Sequence, residues 1–335
     1  MKILRKIFKW TGISIGSVLL LIVLAGMSYR WLGPAPQAPK GELVDVGGFR
    51  LHIHATGAKS DRPTVVMECG AGLTTEFFHW LNEGLQDSLW VVRYDRAGLG
   101  FSDGHQTPRD PETIAHELHT LLQKAGEEPP YLLVGHSLGG PYIRVFADLY
   151  PEEVAGLFFL DATHPQQVEL FNAPEKTSLK FRAYMALLGV QAVAGELGIV
   201  GLYDRLFDFP YRGQGLPAET NHRVKQFLQN GKLISAYRAE IMEYHATLRR
   251  SDATGDFGDL PIRVFNAHQS PDHTYGIATE PWEDDERHPH QDYADLSTDG
   301  KLAFLYGNHV SIYTEKENAD LICDEILQVV RELEP

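Results

Sequence analysis

A serine in a glycine-rich segment is the residue with the clearest potential for chemistry in this sequence. Ser137 lies in Gly135-His136-Ser137-Leu138-Gly139-Gly140, which fits the pattern G-x-S-x-G. When a strand leads into this pattern and a helix follows it, the serine sits on a sharp turn with its hydroxyl exposed. Side chains at the flanking glycines would collide within such a turn. The segment therefore predicts that Ser137 is a nucleophile.

The start of the following helix is suited to stabilise the negative charge that attack by Ser137 creates. The first N–H groups of a helix have no intrahelical acceptor, and the helix dipole favours an anion there. The N–H of Leu138 is therefore predicted to be one donor of an oxyanion hole. A serine hydroxyl also needs a base with a pKa near the working pH, and histidine is the usual choice. Because the sequence has fifteen histidines, position must identify the base.

Short apolar runs and helical patterns alternate on both sides of the serine segment. Strands are predicted at 43–46, 49–55, 64–68, 90–94, 131–134, 154–160, 262–265 and 301–306, and helices at 74–86, 110–124, 138–150 and 314–332. Such an alternation indicates an α/β fold with a mostly parallel sheet and helices on both of its faces. The alternation stops between 161 and 261. The stretch 163–258, which is rich in leucine and aromatic residues, predicts a helical lid over one edge of the sheet.

Two segments together resemble the α/β-hydrolase superfamily, in its capped, single-domain serine-hydrolase branch. They are Gly135–Gly140 and the upstream run Tyr94-Asp95-Arg96-Ala97-Gly98-Leu99-Gly100-Phe101-Ser102-Asp103. The resemblance covers roughly residues 41–334 and implies the α/β-hydrolase fold. It also implies that a serine attacks the substrate, whereas the dehalogenase and epoxide-hydrolase branches use an aspartate. Asp95 and Arg96 are expected to hold their loop in place rather than to catalyse.

The resemblance assigns the other members of a catalytic triad. It implies that His309 is the general base, because the histidine of the superfamily follows the last strand and precedes the final helix. Relatives place the acid that orients this histidine after either the sixth or the seventh strand. Asp161, at the end of the run 154–160, and Asp272, after the run 262–265, are the two candidates. We favour Asp161, because the loop that holds Asp272 lacks the glycine that usually precedes the acid.

The resemblance also implies where the second oxyanion donor lies. In the superfamily it belongs to the turn after the third strand, which matches Cys69-Gly70-Ala71-Gly72. The N–H of Ala71 is the expected donor and that of Gly72 the alternative. Cys69 departs from the family pattern, since many members have a histidine there. The predicted reaction requires neither a metal ion nor an organic cofactor.

The amino-terminal residues predict a membrane anchor. Residues 10–29 carry no charge and lie between Lys9 and Arg30. A helix of that length, at about 1.5 Å per residue, crosses the ~30 Å hydrocarbon core of a bilayer. Four basic residues precede the segment and one follows it, which predicts a cytoplasmic amino terminus and an extracytoplasmic body. A cleaved signal peptide, which would yield a secreted protein, is the alternative.

The predicted domain organisation follows from these features. A basic cytoplasmic tail (1–9) precedes a transmembrane helix (10–30), a proline-rich spacer (31–40) and the hydrolase domain (41–335), which contains the lid (163–258). The formal net charge of −15 argues against a nucleic-acid partner, because an acidic surface repels phosphate backbones. The expected partners are a small-molecule or lipid-like acyl substrate and, through the amino-terminal helix, a membrane. The sequence does not indicate the oligomeric state.

Taken together, the residues predict a membrane-anchored serine hydrolase that cleaves an ester or a related acyl bond. Two alternatives stay open. An acyltransferase with the same fold would pass the acyl group to an alcohol or an amine, and a binding protein with this fold would not catalyse at all. The presence of both the serine segment and His309 favours the enzyme.

Overall fold

A mostly parallel sheet forms the centre of the fold in the computed structural model, which describes residues 1–33, 40–104, 108–170, 173–208, 213, 215–270, 273–278 and 288–334. The strands are β1 (Glu42–Asp45), β2 (Arg50–Thr56), β3 (Thr64–Glu68), β4 (Val91–Asp95), β5 (Tyr131–His136), β6 (Val154–Leu160), β7 (Ile262–His268) and β8 (Gly300–Tyr306). Their order across the sheet is β1-β2-β4-β3-β5-β6-β7-β8. The pairs β1–β2 and β2–β4 are antiparallel and the remaining pairs are parallel. The predicted spacer at 31–40 falls largely on 34–39, outside the described residues.

Helices cover both faces of this sheet, as the alternating pattern predicts. The helices are α1 (Lys2–Leu32), α2 (His79–Leu85), α3 (Pro111–Lys124), α4 (Gly139–Leu149), α5 (Gln167–Leu170), α6 (Leu179–Glu196), α7 (Ile199–Phe207), α8 (Ala218–Leu228), α9 (Gly231–Asp252), α10 (Gln291–Ala294), α11 (Ser311–Thr314) and α12 (Lys316–Leu333). The helix predicted at 74–86 is divided into a 3-10 turn, Thr75–Phe78, and α2. The predicted fold class is confirmed.

Alternate residues of the central strands enter two different apolar cores. Val65 and Met67 of β3 join the core that contains α2 and α12, whereas Val66 joins the core that contains α3 and α4. Because both faces of β3 are buried, its three central residues, Val65, Val66 and Met67, are all apolar instead of alternating with polar ones. Burial on both sides fixes the position of the strand ends, and these ends carry the residues described below.

The helices α5 to α9 lie between β6 and β7 in the chain and contain the residues predicted to form a lid. The longest of them, α9, packs against α6 and also contacts α3 and α4. Helix α9 therefore connects α6 to the helices that pack on the sheet.

The amino-terminal helix α1 is long and apolar enough to cross a membrane. A signal sequence at the amino terminus can have the same length and composition. Most of the large apolar side chains of α1 are exposed, and Gly26 is the residue that the rest of the protein buries. The helices α6 and α7 are long and apolar enough to cross a membrane only if they are counted together as one interrupted segment, and they are bent by 81° relative to each other.

Candidate active site

Ser137 occupies a sharp turn between β5 and α4. The strand continues to His136, two residues beyond its predicted end, and so leads directly into the serine. Ser137 has a φ of +53°, which is uncommon for a residue other than glycine. A Cβ atom at Gly135 would lie 2.7 Å from the carbonyl oxygen of Gly139. The turn thus excludes a side chain at this position, as the glycine pattern predicts.

Ser137, His309 and Asp161 form a continuous chain of hydrogen bonds. The Oγ of Ser137 is 2.9 Å from His309 Nε2, and His309 Nδ1 is 2.5 Å from Asp161 Oδ2. With the Nδ1 proton directed at the carboxylate, Nε2 is left to accept the serine proton. The structure thus brings together the three residues that the sequence singles out. Asp272 lies outside the described residues.

The carboxylate of Asp161 is fixed by the backbone as well as by His309. Asp161 follows the last residue of β6, and its Oδ1 accepts a hydrogen bond of 2.9 Å from the N–H of Ala267. Burial by itself would raise the pKa of Asp161, but the hydrogen bond and charge of His309, followed by the Ala267 N–H, outweigh burial and lower it. The carboxylate therefore stays ionised and can stabilise an imidazolium at His309.

The predicted oxyanion donors lie beside the serine, and they differ in whether their N–H groups are already hydrogen-bonded to the protein. Ala71 and Leu138 both line the cavity that contains Ser137. Within the part of the chain that the structure describes, neither of their N–H groups has a recorded protein acceptor. The N–H of Gly72, the alternative donor, is instead occupied, because it donates to Glu240 Oε2 at 3.0 Å. The geometry therefore favours Ala71 over Gly72.

A buried charge network holds the loop that carries Ala71. Arg96 donates to the carbonyl oxygens of Cys69 and Gly70 at 2.6 Å and 2.8 Å. Its guanidinium also pairs with the carboxylates of Glu68 and, at 2.8 Å, Glu240. Arg96, Glu68 and Glu240 are each 2% exposed or less, so water screens these interactions little. Burial alone would lower the pKa of Arg96, and the two carboxylates raise it instead.

Glu240 is a residue that the sequence reasoning missed. It lies in α9 on the same buried stripe as Leu233 and Ala236. A glutamate at an apolar helical spacing is rarely buried without a partner. That spacing is the signal that could have identified it, although the identity of its partner, Arg96, depends on the tertiary fold.

His136 is buried next to His309 and contacts both its backbone and its ring. Its Nε2–H donates to the carbonyl oxygen of His309 at 2.7 Å, and the two ring centroids are 4.6 Å apart. Burial and the charge of His309 lower the pKa of His136 to about 3. His136 is therefore neutral at ordinary pH and acts on the position of the base rather than as a base itself.

A cavity of about 600 Å³ opens at Ser137 and is lined by both the body and the lid. Its apolar wall includes Leu73 and Val310 from the body and Tyr237, Ile241 and Tyr244 from α9. A wall of this kind fits the apolar part of a substrate, while the reacting group lies at the serine. Among the described residues, no three histidine, cysteine, aspartate or glutamate side chains are grouped so that they could hold a metal ion.

Comparisons with known proteins identify the fold. The family model for the α/β hydrolase fold matches residues 63–195. An epoxide hydrolase, CorEH, superposes with a TM-score of 0.61 at 16% identity and covers 88% of this chain and 99% of its own. At this identity the superposition is informative about the fold alone.

Two curated relatives match shorter segments. The uncharacterized protein YbdG of Bacillus subtilis is 28% identical over 196 residues, which are 57% of this chain and 60% of the relative. The human (lyso)-N-acylphosphatidylethanolamine lipase is 28% identical over 150 residues, or 42% of this chain and 44% of the lipase. The chain spans 60% or less of the length of the first curated relatives that it matches. Because an epoxide hydrolase and a lipase are both among the similar proteins, similarity leaves the reaction open.

Proposed function

The chain has the α/β-hydrolase fold, and on that premise we propose that it is a membrane-anchored serine hydrolase that cleaves an ester or a related acyl bond. The observation that carries the proposal is the chain of hydrogen bonds from Asp161 through His309 to Ser137. A serine hydroxyl is a weak nucleophile until a base removes its proton. This arrangement provides the base and an acid that orients it.

The proposed reaction proceeds through an acyl-enzyme. The Oγ of Ser137 attacks the acyl carbon as its proton moves to His309 Nε2, and the N–H groups of Ala71 and Leu138 stabilise the oxyanion. The tetrahedral intermediate then expels the alcohol, which receives the proton from His309. Water, activated by His309, attacks the acyl-enzyme and releases the carboxylic acid and the free Ser137.

The side chain at the turn distinguishes this reaction from that of the epoxide-hydrolase branch. In that branch an aspartate attacks carbon and forms an ester with the enzyme, whereas residue 137 is a serine. The apolar cavity wall supports an acyl chain as the bound part of the substrate. We therefore propose a small-molecule or lipid-like acyl compound as the substrate.

The proposed location places α1 across the membrane and the catalytic body on the extracytoplasmic side. The support is the charge-free segment 10–29 and the excess of basic residues before it. Protease added to intact cells should degrade the body and leave a short membrane fragment. A body that stays protected until the cells are lysed would contradict this orientation.

Labelling with an alkyl fluorophosphonate tests the catalytic proposal, because this probe phosphonylates an activated serine. The full chain in detergent should be labelled, and Ser137→Ala should abolish the label. His309→Ala should slow labelling strongly, whereas Ser60→Ala, which removes an exposed serine, should not change it. Equal labelling of wild type and Ser137→Ala would refute Ser137 as the nucleophile.

Product analysis separates hydrolysis from acyl transfer. With a long-chain ester as substrate and a short alcohol added in excess, a hydrolase should release mainly the free carboxylic acid. Formation of the ester of the added alcohol as the main product would identify a transferase instead.

A further inference from the structure

The lid helix α6 is apolar on both of its sides. Its inner residues Phe181, Met185 and Leu188 pack in a cluster with residues of α9. On its outer side Leu187, Val190 and Val193 are 53–68% exposed. The sequence between Arg182 and Glu196 contains no charged residue. A helix that is apolar all round is normally buried, so the outer side of α6 calls for an apolar environment that the described residues of this chain do not provide.

The neighbouring helix α7 also exposes large apolar residues. Its last turns expose Tyr203, Leu206 and Phe207, of which Leu206 and Phe207 are 65% and 66% exposed. Exposed apolar residues that occur singly are ordinary, but several large ones on two consecutive helices indicate an interaction site. We use the term outer lid surface for Leu187, Val190, Val193, Leu206 and Phe207.

The turn between α6 and α7 is packed closely against α1. A Cβ atom at Gly26 of α1 would lie 2.6 Å from the carbonyl oxygen of Leu197, and one at Gly201 would lie 2.7 Å from the ring of Tyr29. Both glycines are therefore needed for the helices to approach so closely, as at interfaces between membrane helices. Arg30 of α1 adds an ion pair of 2.6 Å with Glu196.

This contact determines at which point along the axis of α1 the outer lid surface lies. Arg30 is the first charged residue after the charge-free segment 10–29, so it marks the point at which α1 leaves the hydrocarbon core. Gly26 and Tyr29 lie within one turn of it. The α6–α7 turn, which packs on these residues, is thus held at the membrane boundary.

We propose that the outer lid surface is embedded in the lipid bilayer beside α1, so that the lid is a second membrane-binding element. This inference rests on the proposed role of α1 as a membrane anchor. A bilayer supplies the apolar environment that α6 and α7 require, and Arg30 and Glu196 neutralise each other where the chain enters the headgroup region.

Membrane docking of the lid bears on the substrate class of the proposed hydrolase. The hydroxyl of Tyr184 on α6 is 3.0 Å from that of Tyr237 on α9, and Tyr237 lines the cavity at Ser137. Through this contact α6 and α9 connect the outer lid surface to the wall of the cavity. A membrane lipid with an acyl ester, which reaches the cavity directly from the bilayer, fits this arrangement.

A lipid-quenching experiment on the full chain tests the docking of the lid without requiring catalysis. Val190→Cys and Leu206→Cys are labelled with an environment-sensitive fluorophore and reconstituted into phosphatidylcholine vesicles that contain lipids with a quencher on the acyl chain. The native Cys69 and Cys323 are buried. Glu128→Cys is the matched control, because Glu128 is exposed and precedes β5, whereas Ser137 follows the other end of this strand.

Labels at 190 and 206 should emit at shorter wavelength than the label at 128 and should lose most of their fluorescence to the lipid-borne quencher. Quenching at 190 and 206 no stronger than at 128 would overturn the proposal. A shifted emission without quenching would also overturn it, since a second copy of the chain or another protein would then cover the surface. Ser137→Ala should give the same quenching as the active protein, so that failure of the proposed chemistry is distinguishable from failure of the docking.

Discussion

Glu240 of the lid and Gly72 of the body are joined by a hydrogen bond of 3.0 Å from the Gly72 N–H to the glutamate Oε2. Gly72 is adjacent to Ala71, the proposed oxyanion donor. The same carboxylate pairs through Oε1 with Arg96, which in turn holds the carbonyl oxygens of Cys69 and Gly70. Helix α9 therefore takes part in fixing the loop that carries the proposed oxyanion donor, which we call the oxyanion loop.

Glu240→Gln should weaken catalysis more than substrate binding. A glutamine has one acceptor oxygen, so it cannot serve both Gly72 and Arg96, and its amide would face one of these donors. A displaced Ala71 N–H should lower kcat by about ten- to a hundredfold, less than the 10²–10³-fold that loss of a whole oxyanion donor costs. KM should change little. Steady-state kinetics with a short-chain ester measures both.

The stability of the same variant should also fall. Glu68 continues to neutralise Arg96, so the free energy of unfolding should drop by about 1–3 kcal/mol, less than the ~3–5 kcal/mol lost when a buried charge is left without a partner. Glu243→Gln is the matched control, because Glu243 lies on the same helix in a half-exposed pair with Lys176 at 3.7 Å. Equal effects of the two variants would show that Glu240 does not act through the oxyanion loop.

Asp161→Asn should nearly abolish turnover while the protein stays folded. An asparagine has one acceptor oxygen, so when the Ala267 N–H occupies it the amide NH2 faces His309 Nδ1. The neutral amide also cannot stabilise an imidazolium, so kcat should fall by about 10³–10⁴-fold, as for triads of this kind. Fluorophosphonate labelling should slow in parallel. Asp272→Asn serves as the control and should retain most of the activity. A greater loss in Asp272→Asn than in Asp161→Asn would assign the acid to residue 272.

The order of the elements and the tight turn at Ser137 could be predicted from the sequence because both depend on local patterns. The apolar residues 65–67 of β3 indicate burial on both faces, and the glycines around Ser137 indicate a tight turn. The resemblance to relatives added His309 and left two candidates for the acid. Only the spatial arrangement shows which donors are already occupied, as Gly72 is by Glu240.

Contacts between distant parts of the chain were beyond prediction from local patterns. Arg96 and Glu240 are 144 positions apart, and the neighbourhood of neither residue specifies the other as its partner. The packing of α1 on the α6–α7 turn depends on the absence of side chains at Gly26 and Gly201. Within an apolar segment these glycines carry no signal that specifies a partner.

The free energy of unfolding of His136→Gln should fall less than that of the wild type when the pH is lowered to mildly acidic values. The pKa of His136 is lowered to about 3 in the folded protein, whereas the unfolded chain has the ordinary value of about 6.5. As the pH falls below about 6.5, the unfolded state therefore binds a proton that the folded state does not. The stabilisation is fully present above this pH and is lost progressively towards pH 3.

Between pH 7 and pH 5 this one group should lower the free energy of unfolding by about 2 kcal/mol. Urea unfolding in detergent at both pH values should show that His136→Gln loses about that much less than wild type. Other histidines, such as the half-buried His54 with a pKa lowered by burial to about 4, titrate in both proteins and cancel in the comparison. Identical losses in the two proteins would mean that His136 is not desolvated in the folded state.

Gly26→Leu should loosen the α6–α7 turn from α1 without preventing membrane insertion. A Cβ atom at Gly26 would meet Leu197 O at 2.6 Å and Ile199 Cγ1 at 2.9 Å, so the two helices must separate. Overpacking of this kind costs about 1–3 kcal/mol, and amide exchange in the turn should accelerate by about one to two orders of magnitude. Hydrogen–deuterium exchange of the peptide that covers 195–203 in vesicles measures this change.

Gly16→Leu provides the matched control for that variant. It makes the same substitution in the same helix, at a glycine whose Cβ would meet nothing within 4 Å, so exchange at 195–203 should stay at the wild-type rate. Fluorophosphonate labelling of Ser137 should be unchanged in both variants, because the contact with α1 lies outside the cavity. Unaltered exchange in Gly26→Leu would contradict close packing of the lid on α1, and the level of the outer lid surface in the membrane would then have no structural basis.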